Sequence, residues 1–506
     1  MKKLNIYIFG LILLIAGSFQ SCELKSEMYD VINPLMYPQS ARDARDLVTS
    51  NAYGAFRNDD YSGILNVATG WMLTSDIASD YGFCSWGGSV WLPIEFARWT
   101  KAETRNSTAI WGYTNEISKM TLTIERIAGV AMSEDLKNQY IAELRCGRGF
   151  LAFLIWNMHG PIIVADLETL QNPLDEIIIP RMSEEATRDY IITELTEAAK
   201  VLPYTYKKGD ADYGRFTKGL CHMVLLKLYM QTKQWDKAIA EARELQKPEY
   251  GYALVTDLGN ETTAYANIFT EANEKNSETI WAVNCMDGYQ THLWYPHVLP
   301  SNVPNFSGGW GGYKMTWNFF NKFEDGDERK ETIVYEYTTR NGVTYNQENK
   351  GTSANSLADG VIPLKYKIEP NVGDACQTDW IVYRYADVLT LLAEAIVRKD
   401  NVVTDEAIDL LNQVRTRAGL PAYTAASFSS ARDFLDKLLM ERAFEFYYEG
   451  CRRMDLIRDG SYVAVMTQKC NDFGEPVVVN ENFHLFPLPE SIIVEGQGLI
   501  TQNSGF

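Results

Sequence analysis

The chain has 506 residues, of which 46% are hydrophobic and 22% charged, so it contains ample material for a folded core and exceeds one ordinary compact domain. Its formal net charge of −19 argues against nucleic-acid binding, because phosphates require a basic surface and the chain contains no run rich in lysine or arginine. The acidic residues are spread along the chain, which favours solubility over one charged partner.

The first segment has the pattern of an export signal. Lys2 and Lys3 precede an apolar run over residues 4–17, and "SFQSC" follows. The run is shorter than the ~20 residues of a membrane-spanning helix, so a cleaved signal over residues 1–21 is favoured over an anchor helix. Cys22 stands where cleavage would fall, a placement that resembles the lipobox of bacterial lipoproteins. We therefore predict lipidation at Cys22, with plain secretion as the alternative.

Helical patterns dominate the chain after this segment. Residues 40–57, 110–131 and 133–160 have apolar residues at helical spacing and few breakers. In the third, Ser133 is placed to cap the helix, and Gly160 followed by Pro161 predicts its end.

Two further segments predict pairs of antiparallel helices. Residues 214–234 are followed at once by 235–246, where alanines at alternate positions allow a neighbour to approach closely. Residues 383–400 and 404–420 form the second pair. Such pairs resemble tetratricopeptide units, which stack and bury their faces against one another. The predicted fold class is therefore mainly α, a tetratricopeptide-like scaffold of helix pairs.

Two aromatic-rich stretches interrupt the helical patterns. "SDYGFCSWGGSVWLP" (79–93) and "PNFSGGWGGYKMTW" (304–317) place large rings among glycines and serines that break helices. The second lies in a region of long loops and short strand-like runs, too aromatic for a disordered segment. We expect this loop-dominated region to pack on the helices as a ligand-binding layer.

These patterns predict one unit from residue 22 to the end. Its parts are listed in chain order: residues 22–250, helical with an aromatic loop at 70–100; residues 251–379, the loop-rich layer; and residues 380–506, helical with a tail.

Four segments in order resemble the SusD/RagB family, surface lipoproteins of Bacteroidetes that capture nutrients. The most specific is "ERAFEFYYEGCRRMDLIRDG" (441–460). The others are "LPYTYKKGDADYGRFTKGLCHMVLLKLYM" (202–230), "YRYADVLTLLAEA" with "NQVRTRAGLPAY" (383–423), and the closing "LFPLPESIIVEGQGLITQNSGF" (485–506).

The resemblance implies properties that composition does not show. It implies a tetratricopeptide-like scaffold whose loops bear the ligand site, and a partner in the outer membrane: a SusC-like TonB-dependent transporter barrel, over which the lipoprotein sits as a hinged lid. It implies lipid anchoring at the outer membrane, facing outward. Oligosaccharides or polysaccharides are the typical ligands, and some members capture peptides.

The aromatic loops fit sugar binding. A sugar ring has an apolar C–H face that a flat tryptophan or tyrosine can cover, and neighbouring glycines let the ring stand out from the surface. The candidate ligand-binding rings are Tyr81, Trp86, Trp91, Trp310 and Tyr313, with Trp294 and Tyr295 as further candidates. The alternative is that these rings fix long loops to the helical scaffold.

Two acidic residues lie beside the first aromatic stretch. Asp76 and Asp80 are four residues apart and can accept hydrogen bonds from sugar hydroxyls or cap a helix. The same pair is the candidate acid pair of a rival function, a surface glycoside hydrolase. We favour a non-catalytic glycan-binding lipoprotein, with peptide capture as the alternative in the same role.

A third set of acidic residues is predicted to be structural. Glu441, Glu445 and Glu449 lie four apart on a predicted helix that continues through Arg452 and Arg453, which are expected to hold them ionised.

No cofactor or metal site is predicted. Residues 324–329 form a predicted turn without the ligand pattern of a calcium loop, and the five histidines are scattered. Besides Cys22, the chain has seven cysteines without close spacing, which predicts single buried thiols.

Overall fold

The structure is a computed structural model that describes residues 37–59, 62–102, 105–256, 263–306, 308–369 and 373–506, with the backbone alone for residues 105–108. The predicted signal peptide over residues 1–21 and the predicted lipidation site Cys22 lie outside the described residues. Most regular structure is helical, which confirms the predicted fold class. The boundaries of the three predicted parts stay a prediction.

The helices and strands have the following bounds. The helices are α1 (Ala41–Val48), α2 (Trp71–Ile77), α3 (Gly88–Glu95), α4 (Arg105–Gly112), α5 (Thr114–Ala128), α6 (Glu134–His159), α7 (Leu167–Gln171), α8 (Glu184–Ala199), α9 (Lys218–Gln231), α10 (Trp235–Leu245), α11 (Ala264–Asn267), α12 (Trp294–Val298), α13 (Trp317–Phe320), α14 (Tyr385–Asp400), α15 (Asp405–Arg417), α16 (Ala431–Glu445), α17 (Arg452–Asp459), α18 (Tyr462–Phe473) and α19 (Glu490–Glu495). The strands are β1 (Gly82–Cys84), β2 (Thr279–Val283), β3 (Tyr313–Met315), β4 (Tyr337–Thr338), β5 (Thr344–Tyr345) and β6 (Trp380–Arg384).

The predicted ends of the central helix α6 are confirmed. The Ser133 hydroxyl accepts a hydrogen bond from the Leu136 N–H, and Gly160 ends the helix with a φ of +72°. A positive φ suits glycine because it lacks a Cβ. Nearly all of the second half of α6 is buried, so this helix forms the centre of the scaffold.

The long helices pack as neighbouring pairs. Helix α6 packs against α5 and α8, α9 packs against α8 and α10, and α14 packs against α10 and α15. Three residues, 232–234, connect α9 to α10, so the two helices fold back on each other. This arrangement is the predicted tetratricopeptide-like scaffold. Among the described helices, none combines the length and hydrophobicity needed to cross a bilayer.

The loop-rich layer is held to the scaffold by short antiparallel ladders. Strand β2 of the layer pairs with β6, which leads directly into α14. Strands β1 and β3 pair in the register Gly82–Met315 and Cys84–Tyr313. The β1–β3 ladder therefore joins the two aromatic stretches.

The first aromatic stretch is more regular than predicted. The predicted loop 79–93 contains β1 and most of α3, and α3 includes Pro93. Gly87 and Gly88, with φ of +55° and +73°, turn the chain between the two elements. The helix forms because Trp91 and Ile94 are buried on one side of it, which compensates for the breakers.

The single helix predicted across residues 438–459, which include Glu441 and Arg453, is wrong. Helix α16 ends at Glu445 and α17 begins at Arg452, because Tyr448 and Gly450 have φ of +56° and +77°. Tyr448 is held in this conformation by two buried hydrogen bonds: its hydroxyl donates to the Lys314 carbonyl at 2.7 Å, and its N–H donates to the Tyr81 hydroxyl at 3.1 Å.

The three predicted structural carboxylates are buried and ion-paired, but not with Arg452 or Arg453. Glu445 binds Arg384, Arg417 and Arg329. Burial raises the pKa of the Glu445 carboxyl, but the three guanidiniums together lower it to about 2.

The network continues from Glu445 to its neighbours. Glu449 binds Arg384 and Lys365, both at less than 3 Å, and Glu441 binds Arg415 and Arg329. The network joins the loop layer, which supplies Arg329 and Lys365, to the C-terminal helices.

The described cysteines are free thiols, all buried, which agrees with the prediction. They are Cys84, Cys146, Cys221, Cys285, Cys376, Cys451 and Cys470.

Candidate functional site

Two tryptophans, one from each aromatic stretch, form an exposed pair at the end of the β1–β3 ladder. The Ser85 N–H donates to the Gly312 carbonyl at 2.8 Å, which extends the ladder by one bond. Trp86 and Trp310 follow on either side, with ring centroids 6.5 Å apart and planes inclined by 52°. Trp86 is 38% and Trp310 is 42% exposed. We call these two residues the tryptophan pair.

The tryptophan pair rests on a buried bed of three rings. Trp91, His297 and Tyr313 lie beneath Trp86 at centroid distances of 6.2, 5.6 and 5.3 Å. His297 also lies 4.8 Å from Trp310 and stacks on Tyr313 with an interplanar angle of 10°. Burial lowers the pKa of His297 to about 4, so this ring is neutral at physiological pH and acts as an aromatic surface.

The backbone of helix α12 fixes the position of Trp310. The Trp310 N–H donates to the Pro296 carbonyl at 2.7 Å, and the Gly312 N–H donates to the His297 carbonyl at 2.8 Å. The Trp86 indole N–H in turn donates to the Trp310 carbonyl at 3.1 Å. Hydrogen bonds therefore position the ring of Trp86 and the backbone of Trp310, in addition to packing.

Gly312 leaves the space in which Trp86 lies. A Cβ at this position would stand 2.3 Å from the Cζ2 atom of Trp86 and 2.4 Å from its Cε2 atom. These distances are shorter than any real contact, so a side chain here would displace the indole ring.

Several rings predicted to bind ligand are buried in this conformation. Tyr81, Trp294, Tyr295 and Tyr313 have no exposed surface, and Trp91 retains 5%. They present no face to a ligand, and their positions match the alternative reading that the rings fix the loops.

Their polar ends show what they fix. Tyr313 donates to the Ala68 carbonyl at 2.6 Å, and Trp294 donates to the Leu364 carbonyl at 3.0 Å. Tyr81 accepts the Tyr448 N–H described above, so it supports the turn between α16 and α17. The buried rings therefore anchor the layer, while Trp86 and Trp310 remain open to solvent.

The two candidate carboxylates, Asp76 and Asp80, both accept hydrogen bonds from groups of the protein itself. Asp76 is fully buried and accepts the Gly450 N–H at 2.6 Å, and burial raises the pKa of its carboxyl to about 7. Asp80 forms a two-bond ion pair with Arg452 at 2.9 and 2.8 Å. Burial raises the pKa of Asp80, but Arg452 brings it below its usual range. Both carboxyls are therefore engaged by donors within the protein.

The sequence interpretation missed His297 as part of the site. The signal was its place in the aromatic loop with Trp294 and Tyr295, next to the stretch that carries Trp310. Among the described residues, no group of three or more His, Cys, Asp or Glu side chains is placed to hold a metal ion.

Comparison with known proteins agrees with the sequence resemblance. Residues 331–506 match the model of the SusD family. A SusD-like protein of Bacteroides ovatus is 24% identical over 357 residues, which cover 65% of this chain and 60% of that protein. The matches agree with the predicted resemblance to the SusD/RagB family, and the family model covers the C-terminal part of the chain. The matched region includes the most specific motif, residues 441–460, and the closing segment, residues 485–506.

Solved structures of the SusD superfamily have the same fold over most of the chain. A SusD superfamily protein from Bacteroides vulgatus has a TM-score of 0.74 and 22% identity, and the match covers 92% of this chain and 99% of the other. Surface glycan-binding protein A from Bacteroides thetaiotaomicron, in complex with laminarihexaose, has a TM-score of 0.72 and 19% identity, with coverage of 92% and 100%. At these identities the likeness establishes the shared fold.

Proposed function

We propose that the protein captures oligosaccharide or polysaccharide chains on the tryptophan pair without cleaving them. The observation that carries the proposal is the exposure of Trp86 and Trp310 on a buried aromatic bed. Large rings normally lose their exposed surface on folding, and two adjacent exposed indoles mark a binding surface. The bed holds both rings in place before a ligand arrives, which reduces the entropy lost on binding.

The geometry of the pair fits a carbohydrate chain. Each indole is partly exposed and can cover the C–H face of one pyranose ring. The 52° inclination of the rings suits a chain that curves from one sugar to the next, because each face then meets its own sugar. Surface glycan-binding protein A from Bacteroides thetaiotaomicron, solved in complex with laminarihexaose, supports a glycan as the ligand class.

The proposed non-catalytic role is supported by the state of the acidic residues. Asp76 accepts a hydrogen bond from the Gly450 N–H, and Asp80 forms an ion pair with Arg452. The carboxylate of Glu445, at the end of α16, forms ion pairs with buried arginines. A glycosidase needs two carboxyls ~5–9 Å apart on opposite sides of the scissile bond.

The proposal also includes an outer-membrane location and delivery of the ligand to a SusC-like TonB-dependent transporter. These parts rest on the family and on the lipoprotein pattern around Cys22.

Affinity electrophoresis in native gels containing single polysaccharides tests the proposed function. We expect one glycan class to retard the purified protein, and Trp86→Ala or Trp310→Ala to weaken its apparent affinity at least ~10-fold, the loss typical of a central aromatic residue. Free reducing ends are measured in parallel, and no increase is expected.

A matched control is Tyr335→Ala, which removes an aromatic ring that is 46% exposed and lies outside the pair. This variant should bind as the parent does. Unchanged binding in both tryptophan variants with an unchanged melting temperature would show that the pair is not the site. Release of reducing ends that persists in the purest preparations would show an enzyme.

A further inference from the structure

A cavity lies between the helical scaffold and the loop layer, apart from the tryptophan pair. Three segments enclose a cavity of about 490 Å³: residues 205–217 before α9, residues 248–252 after α10, and residues 275–282, which include most of β2. This volume falls within the range of about 300–1,000 Å³ typical of small-ligand pockets. None of its lining residues belongs to the tryptophan pair or its bed. We call it the lysine cavity.

The lysine cavity is basic in an acidic protein. Lys207, Lys208 and Lys275 line it, and Glu249 is the single acidic residue among the described lining residues. None of these three lysines forms an ion pair within the part of the chain that the structure describes. The charges of Lys207 and Lys208 are therefore available to a ligand, whereas the Lys275 ammonium also interacts with the carboxylates of Glu274 and Asp379.

Arg215 also lines the cavity, but its positive charge is already balanced by a carboxylate of the protein. It forms a two-bond ion pair with Glu143, with distances of 3.1 and 2.5 Å. It therefore fixes the wall, and the free positive charge comes from the lysines.

The remaining lining offers aromatic faces and hydroxyl groups. Tyr206, Tyr213 and Tyr252 line the cavity, and the Lys275 ammonium stands 4.6 Å from the centroid of the Tyr213 ring. The Trp281 indole closes part of the wall and donates to the Gly214 carbonyl at 3.1 Å. The hydroxyls and the side-chain amide are supplied by Thr205, Thr217, Asn276, Ser277 and Thr279.

We propose that the lysine cavity binds a short anionic saccharide, carrying carboxylate or sulfate groups. Ammonium groups recognise the anion, tyrosine rings cover the C–H face of the sugar, and hydroxyl and amide groups pair with sugar hydroxyls. A bare inorganic anion would use only the lysines, and a neutral sugar would leave the charges of Lys207 and Lys208 without a partner. Lys207 and Lys208 remain exposed, so binding should be sensitive to salt.

Isothermal titration calorimetry with the purified protein tests this site, and the inference stands independently of the proposed function at the tryptophan pair. The probes are trigalacturonic acid, a sulfated galactan trisaccharide, a neutral galactotriose and sodium sulfate. The test variant is the triple Lys207→Gln, Lys208→Gln, Lys275→Gln. A second variant, Tyr213→Leu, removes a sugar face and keeps the lysines.

The matched control removes the same number of charges elsewhere. Lys101, Lys119 and Lys200 are each exposed and paired with a glutamate on the surface, so their triple change to glutamine keeps the net charge of the test variant. Melting temperatures of all variants are compared first. The double variant Trp86→Ala, Trp310→Ala separates the two sites.

We expect at least one anionic trisaccharide to bind, and the test triple to weaken this binding at least ~10-fold. Tyr213→Leu should weaken it too, the control triple and the double tryptophan variant should not, and 0.5 M salt should reduce it. Comparison of the two anionic probes identifies carboxylate or sulfate as the recognised group.

Four outcomes would overturn the proposal. They are binding of neither anionic trisaccharide, equal binding of galactotriose, binding of sulfate as tight as that of the saccharides, and equal loss in the control triple or in the double tryptophan variant.

Discussion

Gly312 controls the position of Trp86. The change Gly312→Ala places a methyl group where the indole lies, 2.3 Å from its Cζ2 atom, so the ring must move away from Trp310. Because the backbone at Gly312 has no positive φ, displacement of Trp86 is the main effect. We expect this variant to lower glycan affinity at least ~10-fold, close to the effect of Trp86→Ala, measured by affinity electrophoresis.

The control for this prediction is Gly129→Ala. Gly129 ends helix α5 with a φ of −85°, and a Cβ there would meet nothing within 4 Å. It should bind glycan as the parent does. Full affinity in Gly312→Ala, with an unchanged tryptophan emission spectrum, would contradict the assigned role of Trp86.

At the scale of single residues, the sequence indicated both aromatic stretches and included Trp86 and Trp310 among the candidates, but it did not show which of the rings are exposed. Trp86 and Trp91 lie in one stretch with similar neighbours, yet one is 38% and the other 5% exposed. The difference comes from the β1–β3 register, which brings Tyr313 against Trp91, and from α12, whose Trp294 and His297 rings lie against Tyr313. A long-range pairing of this kind leaves no local signal in either stretch.

The junction between the loop layer and helices α14–α16 depends on Arg384. This residue ends β6 and binds Glu278, Glu445 and Glu449, all of them buried. Arg384→Met should destabilise the protein by roughly 3–5 kcal/mol, because three buried carboxylates lose a partner at once. Chemical denaturation measures the effect.

An exposed ion pair is the control for this element-scale prediction. Arg243 binds Glu406, and each side chain is 46% exposed. Arg243→Met should therefore change the free energy of unfolding by less than about 1 kcal/mol. Equal effects of the two substitutions would refute the importance assigned to the buried network.

The elements themselves were largely predictable, with one instructive exception. Helix α6 was predicted with its cap and its stop, because Ser133 and Gly160 act locally. The break between α16 and α17 was not predicted, because the apolar spacing continues through it and the acids remain four apart. The positive φ of Tyr448 depends on partners at Tyr81 and Lys314, which are distant in sequence.

At the scale of the whole molecule, folding shields the cysteine thiols from solvent and from reagents. All seven described cysteines are buried, and burial raises the pKa of Cys285 and Cys451 above the usual value for a thiol. Since the thiolate is the reactive form, the folded protein should not react with iodoacetamide at these positions at neutral pH. In denaturant all seven should be alkylated, as peptide mass spectrometry can measure.

The unfolded sample serves as the control for reagent activity. Rapid alkylation of any of the seven in the native protein would contradict the packing described, and failure of alkylation in non-reducing denaturant would show a disulfide.

The two halves of the tryptophan pair are separated by 224 residues in sequence. Neither stretch can present the pair alone, because the ladder between β1 and β3 closes a loop that contains much of the scaffold. Closing so long a loop costs entropy that only the completed scaffold offsets. We therefore expect the tryptophan pair to assemble only when the scaffold is complete, and a chain truncated between residues 86 and 310 to lack the pair however well its remaining helices fold. Under the proposed function, ligand binding then reports on complete folding.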